Sequence, residues 1–78
     1  MLSMLERRVS ASERTAFLNA LPARRVAAKA GRVHLWVFEH AEEPGRFVEF
    51  TEAAHASDLA SLHEGQLPAP LWRAVPED

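Results

Sequence analysis

The feature that most constrains the fold is the stretch RVHLWVFEHAEEPGRFVEF, which spans residues 32–50. Apolar and polar side chains alternate at almost every step, and such alternation indicates β-strands. Strands are predicted at residues 32–40 and 46–51, and the intervening Pro44 and Gly45 are typical turn residues. The stretch is therefore predicted to form a β-hairpin.

The predicted hairpin carries large apolar side chains on both faces. If residues 42–45 form the loop, Ala41 lies opposite Arg46, and the pairing continues with Glu39 opposite Val48. This register gives one uniformly apolar face, made of Val33, Leu35, Val37, Val48 and Phe50. The other face mixes aromatic and polar side chains, namely His34, Trp36, Phe38, His40, Phe47, Glu49 and Thr51. A shift by one residue would mix the two sets, so the pattern favours this pairing.

A strand and a helix are predicted before the hairpin. Residues 1–9 read as the strand, and Ser10 and Glu13 have the spacing of a capping box, which begins a helix. The helix is expected to reach Gly31, because apolar side chains recur at helical spacing. These are Phe17, Leu18, Leu21 and Ala28. Pro22 removes a backbone donor, so a kink or a break is predicted beside it.

A second helix and a final strand are predicted after the hairpin. Residues 53–63 have the spacing of a short helix, which Gly65 should end. A proline-rich connector at residues 66–70 then leads to a strand at residues 71–75. Pro68 and Pro70 lie just before this strand and indicate an edge position or a covered entry to the sheet.

The predicted element order is that of a ferredoxin-like βαββαβ unit. We therefore expect one α+β domain over residues 1–78, with a four-stranded antiparallel sheet and both helices on one face. The uniformly apolar hairpin face suits the covered side, which leaves Trp36, Phe38 and Phe47 on the open one. Each of these would forfeit roughly 1.5–3 kcal/mol if it stayed in water. A partner subunit or a bound molecule is expected to cover them.

The length of the chain supports the need for a partner. A chain of 78 residues buries only roughly 60% of the surface that its unfolded form exposes. There is no cysteine, so disulfides and thiolate–metal clusters cannot add stability, and nothing indicates an oxidising compartment. No apolar run approaches the ~20 residues that span a bilayer. We expect a cytoplasmic protein with no membrane partner.

Charge argues against nucleic acid as a partner. Residues 1–32 carry seven basic and two acidic side chains, whereas residues 33–78 carry two basic and nine acidic ones. The halves attract each other, and the acidic half would repel phosphate. The sequence FVEF at residues 47–50 matches the end of an RNA-binding motif, but strand alternation is the simpler explanation.

The element order and the stretch LWVFEHAEEPGRFVEFTEAA resemble the dimeric α+β barrel superfamily, especially small proteins similar to antibiotic biosynthesis monooxygenases. The resemblance implies a homodimer in which two open sheet faces enclose a cavity. It further implies a small apolar or aromatic ligand there and, in some members, oxygenation without metal or flavin. We accordingly expect no cofactor.

Two departures from that superfamily limit what can be transferred. Haem-degrading members use an asparagine on the first strand, but the only asparagine here is Asn19, in the predicted first helix. Some oxygenating members use tyrosine, which this chain lacks. Trp36 is therefore assigned to the cavity wall and not to catalysis.

His40 and Glu49 are the candidate catalytic residues. In the predicted register they are diagonal neighbours, roughly 7–8 Å apart, and a hydrogen bond between them could orient the imidazole as a general base. A polar pair at the barrel rim is the alternative. The predicted ligand-binding residues are His34, Trp36, Phe38, Phe47 and Thr51. His34 and His40 stand about 20 Å apart along one strand, so no metal site is predicted.

Two functions remain open at this point. The first is a homodimeric barrel that binds a small apolar or aromatic metabolite, with cofactor-independent monooxygenase chemistry as an extension. The second is a structural or regulatory interaction module without catalytic activity. Empty volume between the sheets favours the first, and interlocked side chains favour the second.

Overall fold

The structure is a computed structural model that describes residues 1–63 and 70–76. Within these residues, four strands and two helices follow one another. In chain order they are β1 (Leu2–Arg8), α1 (Arg14–Ala30), β2 (His34–Glu39), β3 (Arg46–Glu52), α2 (Ala56–Leu62) and β4 (Leu71–Trp72). The predicted α+β class is confirmed.

The four strands form one antiparallel sheet in the spatial order β2, β3, β1, β4. β1 therefore lies in the interior of the sheet, between β3 and the short β4. This arrangement, with two helices, is consistent with the ferredoxin-like fold that the sequence predicts.

The hairpin register differs by one residue from the prediction. Glu39 pairs with Phe47 and not with Val48. The cause is a longer turn: the His40 amide donates to the Arg46 carbonyl at 2.7 Å, so the chain reverses over residues 41–45. Gly45 closes that turn at a φ of 86°, a left-handed conformation that glycine adopts without penalty.

The register shift reverses the side chains of β3. Phe47, Glu49 and Thr51 lie beneath the helices and are buried, contrary to the prediction that they lie on the open face. Val48 and Phe50 instead pair with Phe38 and Trp36 on the opposite side of the sheet. Because side chains alternate along a strand, a slip of one residue moves the whole set.

The core lies between the sheet and the helices. Five buried side chains form its main cluster, namely Ala28, Val33, Leu35, Ala53 and Leu59. Phe47 packs separately against Phe17 of α1, with 4.6 Å between ring centroids. The hydroxyls of Ser3 and Thr51 hydrogen-bond to each other, which satisfies two polar groups in this buried layer.

α1 differs from the prediction at its start and at Pro22. The expected capping box is absent: the N-cap is Glu13, whose side chain makes no capping bond, while the hydroxyl of Ser10 contacts that of Ser12. The helix also continues through Pro22 without a break. Pro22 is exposed, and Leu18, whose carbonyl loses its helical donor, is half-buried. Gly31 ends the helix, as predicted.

The later elements are shorter than predicted. α2 begins at Ala56 after the N-cap His55, and β4 has two residues where five were expected. The predicted helix end at Gly65 and most of the proline-rich connector lie outside the described residues.

Glu39 connects three segments of the fold. Its carboxylate accepts two hydrogen bonds from Arg14, at 2.8 and 2.6 Å, and a third from the amide of Gly45 at 2.9 Å. The contact joins the end of β2 to the first turn of α1 and to the hairpin loop. The Arg14 hydrogen bonds, helped by that of Gly45, lower the pKa of Glu39 to about 2.

We predict that Gly45→Ala destabilises the protein by about 1–3 kcal/mol. The left-handed backbone disfavours a side chain, and the new Cβ would collide with the Val9 carbonyl. Gly31→Ala is the control, because its φ is −88° and its Cβ would make ordinary contacts. Urea unfolding of both variants tests this; equal effects would contradict the role given to the turn.

We predict that Glu39→Gln makes stability less sensitive to acid. The pKa of Glu39 in the folded protein lies below the unfolded value of ~4.3, so its ionised carboxylate stabilises the fold above that pH. This stabilisation is lost as the pH falls towards about 2. Urea unfolding at pH 7 and pH ~3 should therefore show a smaller drop for the variant than for the parent chain. Glu42→Gln, an exposed change in the hairpin loop, should behave like the parent; equal drops for both variants would refute the prediction.

Candidate functional site

The sheet surface that faces away from the helices is apolar. Directly paired residues of an antiparallel sheet share a face, so the strand registers identify its members. We call this surface the open face. Its apolar side chains are Leu2, Met4, Trp36, Phe38, Val48, Phe50 and Trp72. They are contiguous across all four strands.

Aromatic contacts order part of the open face without covering it. Phe38 meets Phe50 edge to face at 5.8 Å between centroids, and Trp36 stacks on His34 at 4.1 Å. Even so, Phe38 is 53% exposed and Trp72 54%. A contiguous exposed apolar surface of this kind usually marks a binding surface.

The two ends of the open face are polar. At one end Arg46 pairs with Glu6 at 2.6 Å and with Glu43 at 3.0 Å, beside Arg8 and His40. The pKa of Glu43 is lowered, chiefly by the hydrogen bond from Arg46. At the other end His34 lies directly opposite Glu52. The apolar surface thus has charged margins at both ends of its strands.

A depression of about 230 Å³ lies at the Arg46 end of the open face. Phe38 and Val48 contribute apolar surface, and polar groups surround it, including Glu6, His40 and Arg46. Such a mixture can hold an apolar molecule and orient a polar group on it.

His40 is engaged with its own loop. Its Nδ1 accepts hydrogen bonds from the amides of Glu42 and Glu43, each at 3.1 Å. An accepting Nδ1 places the proton of the neutral imidazole on Nε2. His40 therefore stabilises the start of the turn and offers Nε2–H as a donor.

Glu49 lies on the other side of the sheet, beneath α1. It is only 4% exposed, and its oxygens lie 2.6 Å from Arg24 Nη1 and 3.3 Å from Arg7 Nη2. Burial raises the pKa of Glu49, but the hydrogen bonds and charges of Arg24 and Arg7 outweigh it and give a net lowering. Both guanidinium groups also lie 5.9 Å from the centre of the Phe17 ring.

The predicted catalytic pair is not assembled. His40 is at the end of the open face, and Glu49 is on the covered face, so the diagonal contact expected between them is wrong. The reason is again the one-residue shift of β3, since Val37 and not Phe38 pairs with Glu49. Glu49 is an ion-pair partner of α1 in this arrangement.

The predicted ligand-binding residues divide between the two faces. His34, Trp36 and Phe38 lie on the open face, as expected, whereas Phe47 and Thr51 are buried beneath the helices. The sequence interpretation missed five apolar members of the open face, which are Leu2, Met4, Val48, Phe50 and Trp72. Alternation along the first strand was the available signal for Leu2 and Met4.

No protein-family model, curated protein or solved structure matches this chain. The resemblance to the dimeric α+β barrel superfamily therefore stays a prediction. Within residues 1–63 and 70–76, neither helix is long and apolar enough to cross a lipid bilayer.

We predict that Glu49→Gln lowers the free energy of unfolding by about 1–3 kcal/mol. The neutral glutamine amide cannot balance the positive charge of two guanidinium groups. Its NH2 group is also a donor, where the guanidinium groups require an acceptor. Urea unfolding at pH 7 measures the effect, with Glu42→Gln as an exposed control that should leave the unfolding free energy nearly unchanged. A variant as stable as the parent chain would show that the pairing contributes little.

Proposed function

We propose that this protein is a homodimer whose two open faces pack together, and that the space between the sheets binds a small apolar or aromatic molecule. The open face carries the proposal. Seven contiguous apolar side chains, several of them about half exposed, form a surface that a second copy can bury. Covering a large side chain stabilises by roughly 1.5–3 kcal/mol.

The large accessible surface area of the chain supports the proposal that a second copy packs on the open face. It exposes 5960 Å², whereas the scaling relation for compact monomers gives roughly 4,700 Å² for this mass. The exposed residues 73–76 account for part of the excess. A stable interface buries about 800 Å² of each partner, which is within the excess.

The shape of the chain agrees with its area. The radius of gyration is 13.5 Å, against about 11.5 Å for a compact domain of this length. Its smallest extent is 20 Å, which is the thickness of one sheet and one helix layer. Packing a second copy on the open face would produce a thicker body with a sheet-to-sheet interior.

The ligand part of the proposal depends on the depression beside Phe38 and Val48. Its volume of about 230 Å³ is below the ~300–1,000 Å³ of usual ligand pockets. Two facing copies would contribute one depression each to the interior. His40 and Glu49 lie on opposite faces of the sheet, so no reaction is proposed for them. Monooxygenase activity stays a prediction from the resemblance.

The second candidate is an interaction module in which side chains fill the space between the sheets. The small volume of the depression beside Phe38 and Val48 favours it. Both candidates use the same dimer, so they differ only in whether the interior has room for a ligand.

Light scattering over a concentration series tests the dimer. Phe38→Glu places a charge on the exposed apolar part of the open face, and we expect it to shift the protein to monomer while the parent chain is a dimer. Val26→Glu is the matched control, since Val26 is 71% exposed on α1, on the helix side of the sheet, and should leave the dimer intact. A monomeric parent chain, or equal behaviour of the two variants, would refute the pairing.

Ligand-observed NMR with indole, a soluble aromatic probe, then separates the two candidates. Binding to the parent dimer that is lost in Phe38→Glu supports a ligand-binding interior. A parent dimer that does not bind the probe supports the interaction module.

A further inference from the structure

We infer that the two copies pack end for end, so that Arg8 and Arg46 of one copy lie against Glu52 of the other. The inference rests on the proposed homodimer and adds the orientation of its subunits. It identifies a charge pair, formed twice by the symmetry, as the feature that selects this orientation.

The strand register fixes where these charges lie. On β1, Leu2 pairs with Glu52 and Arg8 pairs with Arg46. Leu2 and Arg8 are six residues apart, which is about 20 Å along a strand. Glu52 and the two arginines therefore lie at opposite ends of the open face, with the apolar side chains between them.

Arg8 and Glu52 form no ion pair with the residues that the structure describes, although the charge of Arg8 contributes to the lowered pKa of Glu43. Lys29 and Arg32 line a depression with Glu52, but neither forms an ion pair with it. Arg46 is already shared between Glu6 and Glu43. Covering the open face would remove water from Arg8 and Glu52, which is unfavourable for a charge without a partner.

Two aligned orientations of facing sheets can be compared. A two-fold axis parallel to the strands places the same end of the open face of both copies together. Arg8 then faces Arg46 of the other copy, and Glu52 faces Leu2 of the other copy. A two-fold axis across the strands reverses the second copy. Arg46 then lies over Glu52 of the other copy, and Arg8 is its diagonal neighbour.

The second orientation brings Arg8 of each copy diagonally beside Glu52 of the other in one symmetric step. It also places the row of Trp36, Phe50 and Met4 against the row of Phe38, Val48 and Glu6 of the other copy. The apolar centre is thus covered in either orientation, and the charges at the ends decide between them. Charge complementarity commonly fixes the register of an interface in this way.

Charge reversal tests the orientation through the dimer dissociation constant, measured by light scattering or sedimentation. Arg8→Glu and Glu52→Arg should each weaken the dimer by about tenfold or more, because each sets like charges together. The double variant restores opposite charges between positions 8 and 52 but leaves Arg46 facing a positive charge, so it should dimerise at least about threefold more tightly than Glu52→Arg alone. Higher salt should reduce these differences, since the pairs lie at the margin.

Arg25→Glu is the matched control, because Arg25 is an exposed arginine of α1 without an ion pair among the described residues. It should leave the dissociation constant unchanged. If the reversal variants do not fold, Arg8→Gln and Glu52→Gln replace them, and non-additive weakening in their double variant supports the pair.

The outcomes separate this inference from the proposed function. The orientation is overturned if the parent chain is a dimer and the double variant dimerises no more tightly than Glu52→Arg alone. Strictly additive effects of the two glutamine variants would overturn it as well. Either result leaves the proposed dimer intact. A parent chain that is monomeric throughout the series overturns both.

Discussion

The turn between β2 and β3 determines which side chains of β3 are buried beneath the helices and which lie on the open face. Residues 41–45 reverse the chain, and the left-handed Gly45 accepts a hydrogen bond on its carbonyl from the Val9 amide at 2.8 Å. This contact ties the turn to the end of β1. Because the side-chain period of a strand is two, a turn shorter by one residue would exchange the buried and open sets of β3. The position of Glu49 and the exposure of Phe50 both follow from it.

Ion pairs attach α1 to the sheet at two levels. Arg14 in its first turn binds Glu39 at the end of β2, and Arg24 further along binds Glu49 of β3. These pairs are charge-assisted and directional, so they position a helix whose apolar contacts are few. Only Leu21 and Ala28 of α1 are buried. The helix is thus oriented by arginines on its sheet-facing side as well as by packing.

The sequence predicted the helices and strands and their order, but not which face of the sheet every side chain occupies. On β2 the alternation was decisive, and Trp36 and Phe38 lie on the open face as expected. On β3 the residues FVEFT offer apolar side chains in both alternating sets, so local pattern could not choose between registers. The choice depends on Gly45 and Val9, which are distant in sequence, and no local rule includes that contact. The predicted break at Pro22 is wrong, because the helix continues through it.

The distribution of polarity across the sheet is the physical basis for proposing a partner. The covered face contains the polar side chains of Ser3, Glu49 and Thr51, while apolar side chains occupy the face without helices. An isolated two-layer domain gains more by burying the apolar set and leaving the polar set in water. Here Ser3 and Thr51 hydrogen-bond to each other and Glu49 pairs with Arg24 and Arg7. The apolar surface of the open face stays available for contact outside the chain. That allocation is favourable when the open face becomes a second core between two copies.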